Sequence, residues 1–214
     1  GAYMSAYSSW GPTDDGRIKP DVVANGEDLY SSLSGADTSY GRMSGTSMAT
    51  PNTTGSAALV INWWNSLFPG HAPRSSTLKG LLIHTADDLG TAGPDYQFGW
   101  GMLNVKAAAD LLQDYKNSPG TRRVIEDRIT TTTTSRGYVL TWDGVSPIRA
   151  TLCWIDPAGT ATTSTDLRTA RLVNNLNLTV TGPSGTVYQP WVMPFVGNWT
   201  NATLSTAATT GVNS

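Results

Sequence analysis

The sequence predicts an α/β part over residues 1–116, followed by a smaller all-β part over residues 117–214 with the architecture of a β-sandwich or jelly roll. Apolar residues recur at helical spacing in the first part, whereas they alternate with polar residues in the second. The polar stretch 116–120, which reads KNSPG, separates the two patterns. A chain of 214 residues is long enough for two modest domains, each with its own core.

Three amphipathic helices are expected in the α/β part. The first follows Ser47 and ends at the Pro-Gly pair 69–70. The second begins after Ser75 or Ser76, either of which can act as the N-cap residue. The third follows the glycine-rich stretch 99–101. The residues expected to face the core are Ala57, Val60, Ile61, Trp64 and Leu67 in the first helix, Leu78, Leu81 and Leu82 in the second, and Val105, Ala108, Ala109 and Leu112 in the third.

The all-β part is expected to consist of short strands joined by turns. Period-two alternation predicts strands over residues 148–154 and 175–181. Residues 182–185, which read GPSG, predict a turn, and residues 186–192 can return as the partner strand. The threonine run 130–134 fits either a strand or a glycosylated linker, and its strand-like flanks favour the strand.

Composition excludes several classes of function. Charged residues make up 14% of the chain and the formal net charge is −2, so no basic surface is available for a nucleic acid. No apolar run is long enough to span a membrane. The single cysteine, Cys153, cannot form an internal disulfide and is expected to be a half-buried strand residue. Abundant Thr, Ser, Gly and Asn with scarce Lys are common in secreted β-rich proteins, which predicts an extracellular location.

Residues 44–51 read SGTSMATP and place Ser47 at a turn before a helix. Such a position exposes a hydroxyl at the positive end of the helix dipole, which suits a nucleophile. A serine nucleophile also needs a base, an acid that orients the base, and donors for an oxyanion. Taken alone, the stretch fits a plain helix start with a capping serine and an early proline, and that reading is the commoner one for an isolated match.

The stretch 44–51 resembles, letter for letter, the segment around the catalytic serine of the subtilisin-like serine proteases. Residues 8–12 (SSWGP) and 19–26 (KPDVVANG) resemble the segment that precedes this serine, where the family usually has SSRGP and KPDVVAPG. Residues 81–90 and 99–105 resemble the closing helix and glycine-rich turn of the family. The resemblance identifies the α/β part as the C-terminal part of a subtilisin-like catalytic domain.

This resemblance implies a role for each residue of the serine turn. Ser47 would be the nucleophile of a serine endopeptidase and would form an acyl-enzyme with protein or peptide substrates. Its backbone N–H would donate to the oxyanion, and Met48 would lie beside the leaving group. Trp10 and Asn25 stand where the family frequently has arginine and proline. Neither position does chemistry in the family, so these departures concern packing.

The other triad members are not present in the chain at family positions. In this family the triad occurs in the order Asp, His, Ser. The two histidines, His71 and His84, both follow Ser47 and are expected to be structural. We therefore expect the triad Asp and His and the oxyanion Asn to come from sequence upstream of this chain. The N-terminal part of the same protease is then its partner, and the chain alone is not expected to hydrolyse peptides efficiently.

Residues 151–159 and 172–180 resemble the C-terminal β-barrel appended to some secreted alkaline subtilases, in which nearby carboxylates can hold structural calcium. Asn175 and Asn177 replace two aspartates of the family pattern, which weakens a site for a hard cation. The resemblance requires no cofactor. A weaker calcium site could still be formed by Asp156, Asp166 and the amide oxygens of Asn174 and Asn175.

Two non-catalytic functions are the alternatives. The all-β part could be a binding module for glycans or proteins, or the chain could belong to an inactive protease scaffold that has lost the upstream Asp or His. The aromatic residues Tyr188, Trp191 and Trp199 could offer a stacking surface for a sugar, although placement in the core of a sandwich is expected.

Overall fold

The computed structural model describes residues 2–13, 15–165, 167, 169, 171–193 and 209–210. Helices and short strands both occur in the first part of the chain, which confirms the predicted α/β class for that part. In chain order the elements are β1 (Leu29–Ser32), β2 (Tyr40–Met43), α1 (Thr46–Leu67), α2 (Ser75–His84), α3 (Val105–Asn117), a 3-10 turn (Pro119–Thr121), β3 (Val180–Thr181), β4 (Val187–Tyr188), β5 (Trp191–Val192) and β6 (Thr209–Thr210).

The three helices enclose one apolar core, as the helical spacing predicts. Phe68 and Leu67 at the end of α1 pack against its edge, together with Leu78 of α2 and Val105 of α3. Burying these side chains supplies the main favourable free energy for association of the helices. The fully buried members of the core are Val60, Trp64, Leu81, Leu82, Ala108 and Leu112.

Trp64 is the largest side chain of this core, and its replacement tests how much the core contributes. Only 6% of Trp64 is exposed, its Nε1 donates to His71 O at 2.6 Å, and its ring lies 5.1 Å from that of Phe68. We expect Trp64→Ala to lower the free energy of unfolding by about 3–5 kcal/mol, measured by urea denaturation. The neighbouring Trp63 is 39% exposed, so Trp63→Ala is the matched control. Equal losses in both variants would contradict the assignment of the core.

A β-hairpin leads directly into α1. Strands β1 and β2 pair antiparallel, with Leu29 opposite Met43 and Ser32 opposite Tyr40. Only two residues separate the end of β2 from the first residue of α1. The hairpin therefore fixes where the chain enters the helix that carries Ser47.

The N-terminus of α2 is capped from a distant part of the chain. The N-cap residue is Arg74, which makes no side-chain capping bond, so the prediction of Ser75 or Ser76 as the cap is wrong. Glu126 takes that role: its carboxylate accepts from Arg74 N at 3.1 Å and from Thr77 Oγ1, and it pairs with Arg74 Nε at 3.5 Å. A carboxylate at this position satisfies unpaired N–H groups and interacts favourably with the helix dipole.

Removal of this long-range cap gives a second stability test. We expect Glu126→Ala to lower the free energy of unfolding by about 1 kcal/mol, because the first turn of α2 loses its acceptor. Glu126→Gln keeps an acceptor and should recover part of the loss. Urea denaturation of both variants measures the effect, and an unchanged midpoint for Glu126→Ala would contradict the capping role.

The segment 148–154 is not a strand, so that prediction is wrong. It runs along α2 instead. A Cβ atom added at Gly80 would lie 3.1 Å from Cys153 Cβ, and Arg149 Nη1 donates to His84 O at 2.8 Å. A strand needs a neighbouring strand for its backbone hydrogen bonds, whereas α2 offers only the carbonyl groups at its end. The prediction that Cys153 is half-buried is confirmed.

The threonine run also departs from the predicted strand. Thr130 and Thr133 exchange backbone hydrogen bonds of 3.0 and 3.2 Å, which close a tight turn. Thr133 N lies 3.0 Å from Thr130 Oγ1, so the side chain supports the same turn. The strand prediction for residues 130–134 is therefore wrong.

The turn at residues 182–185 is confirmed. Gly182 N donates to Thr186 O at 2.8 Å, and the flanking strands β3 and β4 pair antiparallel. The strand predicted over 175–181 is reduced to its last two residues. The described residues form three separate two-stranded sheets, so the sandwich or jelly roll is not confirmed. The boundary between residues 116 and 117 stays a prediction.

Candidate functional site

The turn before α1 depends on a glycine. Gly45 is the N-cap residue of α1, with φ 155° and ψ 161°, a backbone conformation that residues with a Cβ atom rarely adopt. Its carbonyl oxygen accepts from Met48 N at 2.9 Å and Ala49 N at 3.3 Å, which closes the first turn. The chain therefore enters the helix abruptly, and the second helical residue, Ser47, lies at the N-terminal end.

The Ser47 hydroxyl is exposed and unused. The N-cap residue of α1 is Gly45, so Ser47 does not cap the helix. Among the described residues the Ser47 hydroxyl has no hydrogen-bond partner. The threonines of α1 behave differently, because Thr50 Oγ1 and Thr53 Oγ1 donate to carbonyls one turn earlier at 2.9 and 3.1 Å. Pro51 lacks an N–H, so the Ser47 carbonyl receives no bond from it.

Neither histidine lies beside Ser47. His71 follows the C-terminal end of α1, a helix that is about 33 Å long, and its carbonyl accepts from Trp64. His84 ends α2, and its Nδ1 lies 2.9 Å from Thr151 Oγ1. Neither imidazole contacts the Ser47 hydroxyl within the described ranges.

The burial of His84 beside Arg149 predicts a pH dependence of stability. Burial, followed by the positive charge of Arg149, lowers the pKa of His84. The unfolded chain therefore takes up this proton at higher pH than the folded chain, and we expect the free energy of unfolding to fall as pH drops below about 6.5. Carboxylates also respond to pH, so the measurement is the difference in melting temperature between the wild type and His84→Gln from pH 8 to 5. A constant difference would contradict the role of His84.

The loop over residues 25–28, for which the sequence predicts no contact with Ser47 or its neighbours, supports the serine turn. Gly26 O accepts from Gly45 N at 2.8 Å, and Ser44 Oγ accepts from Asp28 N at 2.8 Å. A Cβ atom at Gly26 would lie 2.8 Å from Gly45 O and 3.2 Å from Ala49 Cβ. The signal was present in the sequence, since Gly26 matches the final glycine of the family stretch KPDVVAPG.

Asn25, one of the two departures from the family pattern, also has a structural role. Asn25 Oδ1 accepts from Glu27 N at 3.1 Å and so holds the loop where proline is frequent in the family. Trp10, at the other departure, is 38% exposed.

The carboxylate of Asp156, one of the residues predicted for a weak calcium site, accepts several hydrogen bonds. Its donors are Val173 N at 2.6 Å, Asn174 N at 3.0 Å and Asn174 Nδ2 at 2.8 Å. The calcium site stays a prediction. Asp166 lies outside the described residues. Among the described residues no group of three His, Cys, Asp or Glu side chains could hold a metal ion.

Tyr188 and Trp191, two of the aromatic residues considered for a sugar-stacking surface, are exposed. Tyr188 is 60% exposed and Trp191 is 46% exposed, so the prediction that they lie in a core is wrong. Trp191 packs on Gly93, where an added Cβ atom would lie 3.0 Å from the indole ring. Trp199 lies outside the described residues. No helix in the described ranges combines the length and apolar character required to cross a membrane.

Comparisons with known proteins find proteases among the proteins that this chain resembles. A protein of Dictyostelium discoideum named serine protease/ABC transporter B family protein tagA is 31% identical over 201 residues, which cover 81% of this chain and 11% of that protein. Pyrolysin of Pyrococcus furiosus is 55% identical over 120 residues, which cover 51% of this chain and 8% of pyrolysin. The chain thus spans about a tenth of the length of these relatives.

The solved structures that match also include proteases. The structure of the CspB protease of Clostridium perfringens superposes with a TM-score of 0.45 and 31% identity, and the match covers 52% of this chain and 24% of that one. The family model described as the subtilase family matches residues 1–101, which include the serine turn and the segments that precede it. Through these residues, the chain is similar to the subtilase family.

Proposed function

We propose that Ser47 is the nucleophile of a serine endopeptidase that hydrolyses protein or peptide substrates. The observation that carries the proposal is an exposed serine with an unused hydroxyl in the first turn of α1, within residues that match the subtilase family. In a chain of this family, such a serine has the position that acyl transfer requires.

The proposed reaction proceeds through an acyl-enzyme. Ser47 Oγ attacks the carbonyl carbon of the peptide bond while an imidazole takes its proton. The carbon–nitrogen bond then breaks, the leaving amine receives that proton, and water later releases the acyl group from Ser47 Oγ. Neither imidazole in the described ranges contacts Ser47, so the His, the Asp and the oxyanion Asn are proposed to come from the N-terminal part of the same protease.

The first turn of α1 would supply part of the oxyanion stabilisation. The Ser47 N–H has no intrahelical acceptor, because it belongs to the first turn, and it points to the side where a negative charge is favourable. Such a donor acts most strongly on charge that develops in the transition state. The low charge and the Thr-, Ser- and Asn-rich composition support action outside the cell as part of the same proposal.

Covalent labelling tests this proposal. The full-length protein that contains this chain is treated with a fluorophosphonate, which reacts with activated serines, and the modified peptide is identified by mass spectrometry. We expect one label on the peptide that carries Ser47. Ser44, three residues away on the same peptide, is the internal control, so fragmentation must assign the label to Ser47. A folded full-length protein that takes up no label would favour the non-catalytic binding module or the inactive scaffold.

A further inference from the structure

Glu27 accepts hydrogen bonds from two hydroxyl groups of the N-terminal segment. Ser5 Oγ and Tyr7 Oη each donate to Glu27 Oε1 at 2.7 Å, and Tyr7 Oη also lies 3.3 Å from Gly26 O. These contacts span about 20 residues of sequence, so they join the N-terminal segment to the loop at residues 25–28. The loop itself is held by the bond from Glu27 N to Asn25 Oδ1.

The loop that carries Glu27 is also bonded to the serine turn. Ser44 Oγ accepts from the N–H of Asp28, the residue after Glu27, at 2.8 Å. The hydroxyl groups of Tyr7, Ser5 and Ser44, in that order of effect, lower the pKa of Glu27, so the carboxylate remains ionised at neutral pH. Ser44 immediately precedes Gly45, and the Gly45 N–H donates to Gly26 O.

We infer that Glu27 is a positioning residue for Ser47, held in place by Tyr7 and Ser5. It acts through Ser44 and Gly26 on the turn that carries the nucleophile, and does not touch the reacting atoms. This inference rests on the proposed function of Ser47. A carboxylate suits the task because it is negatively charged and accepts only, so its hydrogen bonds with hydroxyl donors are stronger than those of a neutral amide or hydroxyl.

The arrangement also distinguishes Glu27 from its charged neighbour. Asp28 pairs with Arg42 Nη1 at 2.9 Å on the exposed hairpin, and its backbone has a φ of 54°. Its carboxylate therefore stabilises the hairpin, whereas Glu27 faces the N-terminal segment and the serine turn. Loss of the Glu27 network should change the orientation of Ser47 more than it changes the stability of the fold, because the network lies near the surface.

The experiment measures the rate of fluorophosphonate labelling and the steady-state hydrolysis of a peptide by the full-length protein. Small errors in orientation lower the rate of the reaction more than they lower binding. We therefore expect Glu27→Gln to lower kcat and the labelling rate about tenfold with KM unchanged within about twofold. Tyr7→Phe removes one donor and should lower both about threefold. Tyr3→Phe is the matched control, because Tyr3 is 74% exposed and has no hydrogen-bond partner among the described residues.

A double variant separates a shared network from two independent effects. If Tyr7 acts through Glu27, Tyr7→Phe should cause no further loss in a Glu27→Ala background, which has no side-chain acceptor at position 27. Additive losses, or labelling of Glu27→Gln at the wild-type rate, would overturn the inference while leaving the proposed function intact. Absence of label on the folded wild type would overturn the proposed function, and the inference with it. All rates are compared well below the melting temperature of each variant, so that unfolding does not contribute.

Discussion

Replacing Ser47 by alanine is expected to abolish peptide hydrolysis and fluorophosphonate labelling by the full-length protein. The hydroxyl is the atom to which the acyl group would be transferred, and the described structure offers no second exposed serine in the first turn of α1. A loss of about 10⁶-fold in kcat is expected, the magnitude known for the serine of the subtilisin triad. Substrate binding should change little, because the side chain is small and exposed.

Ser44→Ala is the matched control for this substitution. It removes a hydroxyl from the same turn, but that hydroxyl accepts from Asp28 N at 2.8 Å and therefore has a structural role. We expect Ser44→Ala to retain most of the label, with a modest loss of rate. Hydrolysis by Ser47→Ala at the wild-type rate would contradict the catalytic role and favour a function in binding.

Gly26→Ala is expected to cause the second largest effect, a loss of about 100-fold in the labelling rate of Ser47. The added Cβ atom would lie 2.8 Å from Gly45 O and 3.2 Å from Ala49 Cβ, so the start of α1 must shift. Gly45 O cannot move freely, since it accepts the N–H groups of Met48 and Ala49. The displacement therefore passes to the residues between them, which include Ser47.

The chain provides a control with the same chemical change. Gly55 lies in the same helix as Ser47, but a Cβ atom there would meet nothing within 4 Å. Gly55→Ala should leave the rate unchanged and stabilise the helix by up to about 1 kcal/mol, because alanine favours helical backbone. Both variants are compared by labelling rate and by thermal melting. Equal rates for Gly26→Ala and the wild type would show that the loop does not position the turn.

The sequence allowed prediction of those parts of the fold that depend on local pattern. Helical periodicity predicted α1, α2 and α3 and the faces that they bury, because each helix is stabilised by its own apolar stripe. The turn at residues 182–185 was equally local. Ser47 could be proposed from the sequence because the stretch around it lies within residues that match the subtilase family.

The contacts that the sequence did not reveal are long-range. The cap of α2 comes from Glu126, which lies 49 residues after Thr77, and no local pattern indicates such a pairing. Alternation over residues 148–154 describes which side chains face a surface, but it does not say whether that surface is a sheet or a helix. The Glu27 contacts likewise join residues that are far apart in sequence, and their polar side chains do not differ from those of an ordinary loop.

Helix α1 places the serine at one end of a rigid rod and its buried anchor at the other. Trp64 lies about 25 Å from Ser47 along the axis, so a rotation of about 2° about that anchor displaces the hydroxyl by about 1 Å. A displacement of that size is enough to slow a positioned reaction by about two orders of magnitude. A small rotation at the Trp64 end of α1 therefore causes a larger displacement at Ser47. Substitutions in the distant core that leave the melting temperature unchanged are expected to lower the reaction rate and to be selected against for that reason.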